Sequence, residues 1–544
     1  MEHRGFFHTR TRKEGLSVSF GELALKLGML LVFFGVMIYV GFYCRKHSTD
    51  VNGFVLGGRN VGPWLTAFAY GTSYFSAVIF VGYAGQFGWK FGIASTWVGI
   101  GNALIGSLLA WVILGRRTRV MTQHLSSATM PDFFEKRFSA TSLKIAASII
   151  IFIFMIPYTA SLYNGLSRLF RMAFGIDYSV CVIVMAVLTA VYVIVGGYMA
   201  TAVNDFIQGI IMLFGIVAVI GAVLGNNGGF IASLNGLAAA QDPSIANGDV
   251  PGIFNSFFGP DPLSLLGVVL LTSLGTWGLP QMVGKFYAIR SEGAIHKGTI
   301  ISTFFAIVVA GGCYFLGGFG RLFSDKIDIA ANGYDSIIPT MLESLSPFLI
   351  AVVIILVLSA SMSTLSSLVL TSSSTVTLDL LKGKLMKKMD EKKQLLVMRI
   401  LIVVFIVISA ALAIVQAKSS VAFIAQAMGV SWGAMAGAFL APFLYGLYWK
   451  RTTKAGCWAS MVFSTVFMII DMLGNLKVIN VNLGLLQSPI NAGAFCMIAG
   501  LVLVPLVSLI TKAPSKDQVD AIFACYDRKV LVSAKDSIEV AEDA

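Results

Sequence analysis

Five hydroxyls share neighbouring faces of one short stretch of this chain. In SASMSTLSSL, residues 359–368, Ser359, Ser363, Ser366 and Ser367 fall at i, i+4, i+7 and i+8, with Thr364 on their flank. That spacing places them along one side of a helix. The stretch lies inside a long apolar run, so each hydroxyl needs a partner within the protein. A lone Ser or Thr in such a place back-bonds to the carbonyl a turn earlier or lets helices approach closely. Five together exceed what packing asks for. Hydroxyl and carbonyl oxygens are what a small hard cation prefers, so the chemistry indicated is ion coordination, with further oxygens coming from elsewhere in the chain.

Two other stretches offer them. Ala69-Tyr70-Gly71-Thr72-Ser73-Tyr74-Phe75-Ser76 interrupts one apolar run, and Ser273-Leu274-Gly275-Thr276-Trp277-Gly278-Leu279-Pro280-Gln281 interrupts another. Backbone freed by a break inside a bilayer must be buried in protein or line a watery cavity. Carbonyls unwound near Gly71 could then close an oxygen cage with Ser363 and Thr364. A carboxylate is also within reach: Asp205, in VGGYMATAVNDFIQG, at the inner start of its segment. Its alternative reading is a solvated cap, since helix N-termini favour a carboxylate.

The elements that position these groups follow from composition. The chain has 544 residues, 57% hydrophobic and 12% charged, against roughly 25% charged in soluble domains. It reads as an all-α integral membrane protein. A crossing needs about 20 mostly apolar residues, and thirteen segments qualify: 24–43, 62–86, 92–114, 143–167, 179–196, 204–224, 262–284, 298–320, 345–378, 398–417, 420–447, 456–475 and 488–511. The two interrupted helices open two successive groups of five, 62–224 and 262–447, and an odd number of spans inverts the second group relative to the first. Paired broken helices in corresponding positions point to a transporter's binding site. The remaining parts are an N-terminal extension (1–23), a peripheral first helix (24–43), an extracytoplasmic loop (225–260), two peripheral helices (456–511) and a tail (512–544).

Charge sets the orientation. With the N-terminus outside and the C-terminus inside, inner loops and tail carry 27 of the 39 lysines and arginines, while 225–260 carries none. KGKLMKKMDEKK, from Lys382, is the strongest inside marker; the basic residues of the extension oppose the assignment. The chain is expected in the plasma membrane, acting as a monomer, with no nucleic-acid partner. Enzymatic classes find no support: there is no strand-borne G-x-G-x-x-G, P-loop, H-E-x-x-H or Ser/His/Asp set. The five histidines fall in the extension or loops, and the six cysteines have no paired spacing.

Taken jointly, FVLGGRNVGPW (Phe54–Trp64), the Gly71 break, MPDFFEKRF (Met130–Phe138), VGGYMATAVNDFIQ (Val195–Gln208), the Gly278–Pro280 break, SMSTLSS (Ser361–Ser367) and KAPS (Lys512–Ser515) resemble the sodium/solute symporter family. That group includes sodium/proline and sodium/galactose carriers. The resemblance implies a leucine-transporter-type 5+5 inverted repeat with one extra helix in front and two behind. It implies a sodium ion held by carbonyls of Thr72, Phe75 and Ala360 and hydroxyls of Ser363 and Thr364. Some members hold a second sodium, for which Ser363, Ser366, Ser367 and Asp205 match. The implied solute lining is Tyr74, Ser76, Gln86, Tyr158, Thr276, Trp277 and Gln281. Tyr158 falls on a substrate-contacting Tyr of proline carriers, but those carriers have Asp at the position of Tyr74 and aromatics where Thr272 and Thr276 align, which points away from proline. The expectation is a symporter importing a small polar organic solute with one or two sodium ions. A proton-coupled carrier of the same fold and a nontransporting membrane sensor are the alternatives.

Overall fold

The computed structural model describes residues 20–329, 333–386, 389–417 and 424–527. Most of the N-terminal extension (1–19), the end of the tail (528–544), Lys387 and Lys388 of the charged loop, and the start of the expected segment 420–447 lie outside the described residues. Among those described, the strand-like feature is one isolated parallel bridge, Val61 with Ile289; everything else that is regular is helix. Large apolar side chains such as Leu31, Phe214 and Ile510 point outward, an arrangement stable where lipid rather than water covers them.

Among the described residues, ten helices are long and apolar enough to cross a bilayer, or eleven if the bent pair Pro262–Gly278 and Pro280–Ala288 is one span. The sequence predicts thirteen. Val78–His124 runs for 47 residues and Tyr178–Asn226 for 49, so at about 1.5 Å per residue each is roughly twice as long as the ~30 Å hydrocarbon core. Each contains a glycine in the left-handed region, Gly92 (φ 62°) and Gly197 (φ 55°), a conformation that costs glycine little. Both glycines stand where one expected segment gives way to the next. The two counts part there.

The first broken helix runs Pro63–Tyr74, turns extended at Phe75 (φ −91°, ψ 127°), and resumes as Val78–Tyr83 and Ala84–Phe91. Its break therefore lies at Phe75–Ser76, beyond the Gly71 that the sequence suggests. Gly71 is helical and has a packing role: a Cβ there would stand 2.4 Å from Cδ1 of Phe305, so its absence admits that ring. The second break falls where the sequence puts it. Pro262–Gly278 begins with Asp261 accepting from the Ser264 amide, ends before an extended Leu279, and restarts at Pro280 with a 45° bend. Pro280 sits in the first turn, where its missing N–H is harmless.

The hydroxyl-bearing helix is Pro347–Thr375, capped by Ser346, whose side chain accepts from the Leu349 amide. It packs against Tyr178–Asn226, Thr141–Phe174 and Pro63–Tyr74. Every residue from Val353 to Leu370 is buried, so the whole hydroxyl face from Ser359 to Ser367 is enclosed in protein.

Both ends of the first broken helix are fastened. At its start, Val61 accepts from the Arg290 amide (3.0 Å) and donates to the Ala288 carbonyl (3.2 Å). Arg59 donates to the carbonyls of Tyr287, Thr122 and Ser127, and Arg119 to those of Ile289 and Arg290. At its far end, Arg321 donates to the Trp89 carbonyl (2.7 Å) and to Asp242 (3.1 Å), and lies 3.7 Å from the Phe254 ring centroid.

Candidate functional site

Turning residues 75–76 out of helical geometry deprives the preceding carbonyls of the amides that would have bonded them a turn later. The hydroxyl helix supplies substitutes. Ser363 Oγ lies 3.0 Å from the Thr72 carbonyl and 3.1 Å from that of Ala360. Thr364 Oγ1 lies 3.3 Å from Thr72, 3.5 Å from Ser73, 3.3 Å from Phe75 and 3.1 Å from Ala360, each to the carbonyl oxygen. Thr72, Phe75, Ala360, Ser363 and Thr364 are thus brought together, and Ser73 joins them.

The arithmetic of protons is informative. Two hydroxyl and four carbonyl oxygens converge, yet each hydroxyl has a single proton to donate. A surplus of lone pairs in a buried place is what a cation would satisfy. The set is neutral and all-oxygen, which suits a hard monovalent ion more than a transition metal. Among the described residues no group of three or more His, Cys, Asp or Glu could hold a metal.

The rest of the hydroxyl face divides. Ser361 and Ser366 back-bond to the carbonyls of Val357 (2.8 Å) and Ser363 (2.9 Å), the bland role. Ser359 is buried without a hydrogen-bond partner. Ser367 faces Ser73 Oγ at 2.8 Å and accepts from Lys285 Nζ at 3.0 Å. Asp205 is fully buried past the Gly197 kink, with Lys285 Nζ 3.7 Å from its carboxylate. It caps no helix. Lys285, which the sequence places at the edge of a loop, is enclosed in Pro280–Ala288. A signal existed, since GLPQMVGKFYA sets it shortly beyond the break with apolar residues on both sides.

On the other side of Phe75, aromatic rings enclose a second polar cluster. Trp432 stands 6.0 Å, centroid to centroid, from both Tyr74 and Tyr158. Tyr158 OH, Trp432 Nε1 and Ser76 Oγ are buried together, the Tyr158 hydroxyl facing the other two, and none makes a well-formed hydrogen bond. Buried polar atoms are nearly always well paired, so three such atoms against one aromatic wall could take a polar ligand. The other expected lining residues are dispersed. Tyr74 OH donates to Thr272 O (3.0 Å), Thr276 to Gly106 O (3.0 Å) and Trp277 Nε1 to Ile105 O (3.0 Å); these bonds tie the two broken helices to each other and to residues 105–106. Gln86 is half-buried, ten residues beyond Ser76, about 15 Å along a helix. Gln281, its amide unpartnered, lines a narrow cavity with Val55, Met130, Lys285, Ser367 and Thr371. The sequence does not single out Trp432 as lining; in a helix rich in Gly and Ala nothing local distinguishes it from core.

Known proteins share this architecture. The sequence pattern of the sodium:solute symporter family matches residues 54–464. The osmoregulated proline transporter OpuE of Bacillus subtilis (strain 168) is 29% identical over 503 residues, covering 91% of this chain and 96% of that protein. A sodium/proline symporter of Staphylococcus aureus (strain JH9) is 30% identical over 498 residues, covering 89% and 93%. Among solved structures, a Na+-coupled sialic acid symporter in a substrate-bound outward-open state superposes with a TM-score of 0.70 at 16% identity, over 90% of this chain and 99% of that one.

Proposed function

The chain belongs to the sodium:solute symporter family, and on that premise we propose that it imports a small polar organic solute by alternating access, driven by one sodium ion at the oxygen cage. The observation that carries this reading is the cage itself: two hydroxyls facing four carbonyls, of which Thr72 precedes the break and Phe75 lies in it. Sodium is bound by Ser363, Thr364 and the carbonyls of Thr72, Phe75 and Ala360. The solute lies against Tyr158, Trp432 and Ser76. One break therefore serves both ligands, since Phe75 and Ser76 are consecutive.

Coupling follows from that adjacency. Sodium fixes the unwound segment against the hydroxyl helix, which sets the direction of Ser76 and improves solute binding; the solute must improve sodium binding by the same factor. Each sodium moving down a membrane potential releases about 2.3 kcal/mol per 100 mV, equivalent to roughly a 50-fold solute gradient. The basic-residue distribution supports a plasma-membrane orientation with the N-terminus outside and the C-terminus in the cytoplasm.

Proline is the first solute to try, because two relatives are named for it, although Tyr74 here has its hydroxyl committed to Thr272. Purified protein in proteoliposomes should accumulate at least one of a panel of amino acids, monocarboxylates, sugars and vitamins, proline included, under an inward sodium gradient. Accumulation should disappear when potassium replaces sodium. Uptake driven equally well by a proton gradient without sodium would overturn the proposal.

A further inference from the structure

Lys285 occupies a position that no part of the symport reading uses. Its side chain is 4% exposed and that of Asp205 is 0% exposed. Nζ lies 3.7 Å from Asp205 Oδ2, donates to Ser367 Oγ at 3.0 Å, and stands 5.2 Å from the Tyr198 ring centroid. Neither Asp205 oxygen makes a hydrogen bond, so the ammonium is the charge that offsets this carboxylate. Burying either ion without the other is strongly unfavourable.

The same place has a second significance. Ser363, Ser366, Ser367 and Asp205 form the set matched to a second sodium, and Lys285 engages Ser367 and Asp205. Ser363 already belongs to the first cage and Ser366 lies back on the Ser363 carbonyl; the other two members of the set, Ser367 and Asp205, both face Nζ. A sodium ion there would need the same oxygens and would sit against a fixed positive charge. An ammonium carries the same charge as sodium and presents three donors, so the requirement for a cation is met without an ion from solution.

We propose that the Lys285 ammonium is a tethered cation that replaces a second sodium, so that the carrier binds a single sodium ion at the Thr72–Thr364 cage. This rests on the sodium-symport reading and adds the stoichiometry to it. Because the covalent chain holds the ammonium, its occupancy does not vary with sodium concentration. The lysine rides on the second broken helix, whereas Ser367 and Asp205 belong to Pro347–Thr375 and Tyr178–Asn226. The pair therefore also joins a broken helix to its surroundings.

Binding of radioactive sodium to the full-length purified protein tests this without knowledge of the solute. Wild type is expected to saturate at one ion per chain with a hyperbolic curve. Lys285→Ala, which leaves Asp205 open, is expected to saturate at two, and Lys285→Arg, which keeps the charge, at one. The double variant Lys285→Ala/Asp205→Ala should return to one. Two ions per wild-type chain would overturn the tethered cation while sparing the symport reading, as would a folded Lys285→Ala that still binds one. Absence of any sodium binding by wild type would overturn both. Should Lys285→Ala fail to fold, Lys285→Met, uncharged and of similar volume, takes its place: two ions per chain support the tethered cation and one overturns it.

Discussion

Thr364 Oγ1 lies within 3.5 Å of four carbonyl oxygens, so its removal takes away the hub of the cage. Losing one buried polar partner costs about 1–3 kcal/mol, and about 1.4 kcal/mol is a tenfold change in affinity. Thr364→Ala should therefore raise the sodium concentration for half-maximal uptake roughly 5- to 150-fold. Thr364→Ser, which keeps the hydroxyl, should stay near wild type. Sodium titrations of uptake at saturating solute check both; an unchanged titration for the alanine variant would remove Thr364 from the cage. At this scale the sequence is informative where several groups of one kind recur at helical spacing, as from Ser359 to Ser367. It is weak on Lys285: the flanking apolar residues hint at burial, but a lysine near the end of an apolar run looks like a loop charge until its partner Asp205, far away in the chain, is seen beside it.

Within the elements, the position of the first break shows how a glycine can mislead. Sequence alone makes Gly71 the site of unwinding because glycine weakens a helix, but the helix continues to Tyr74 and the glycine accommodates Phe305. No local residue marks Phe75–Ser76 as the turning point; the partners that hold its carbonyls lie on a helix of the second five-helix group. The second break, with Gly278 and Pro280 flanking Leu279, is legible because proline is favoured at a helix start. Gly71→Ala should lower the thermal midpoint of the purified protein, with an overpacking cost of about 1–3 kcal/mol. Adding Phe305→Leu should restore most of the loss. A Gly71→Ala protein as stable as wild type would show that the Phe305 contact is loose.

For the whole molecule, hydropathy makes the membrane class and the inverted pairing of two five-helix groups readable, since both depend on run length and order. The span count differs, because kinks at Gly92 and Gly197 bend the chain without an intervening loop, where the sequence makes two segments of each run. Outside the spans, the Asp242–Arg321 clasp offers a test of how the loop 225–260 is held. Burial alone would raise the Asp242 carboxyl, but bonds from Ser244 and Arg321 outweigh it and hold the group below the usual carboxylate range. A carboxylate lowered on folding contributes stability that is fully present above its unfolded value near pH ~4 and is lost as pH falls through the lower folded value. Thermal midpoints of wild type and Asp242→Asn should therefore differ at neutral pH and converge in acid below that value. A gap that persists there would assign the effect to something other than the charge.

The bonds between Val61 and residues 288–290 join the entry of one broken helix to the exit of the other through main-chain atoms. The two flex points are thereby harnessed in tandem: a tilt at one drags its counterpart. The link is carried by backbone amides and carbonyls, so among substitutions only a proline, which lacks the N–H, would remove a donor from it.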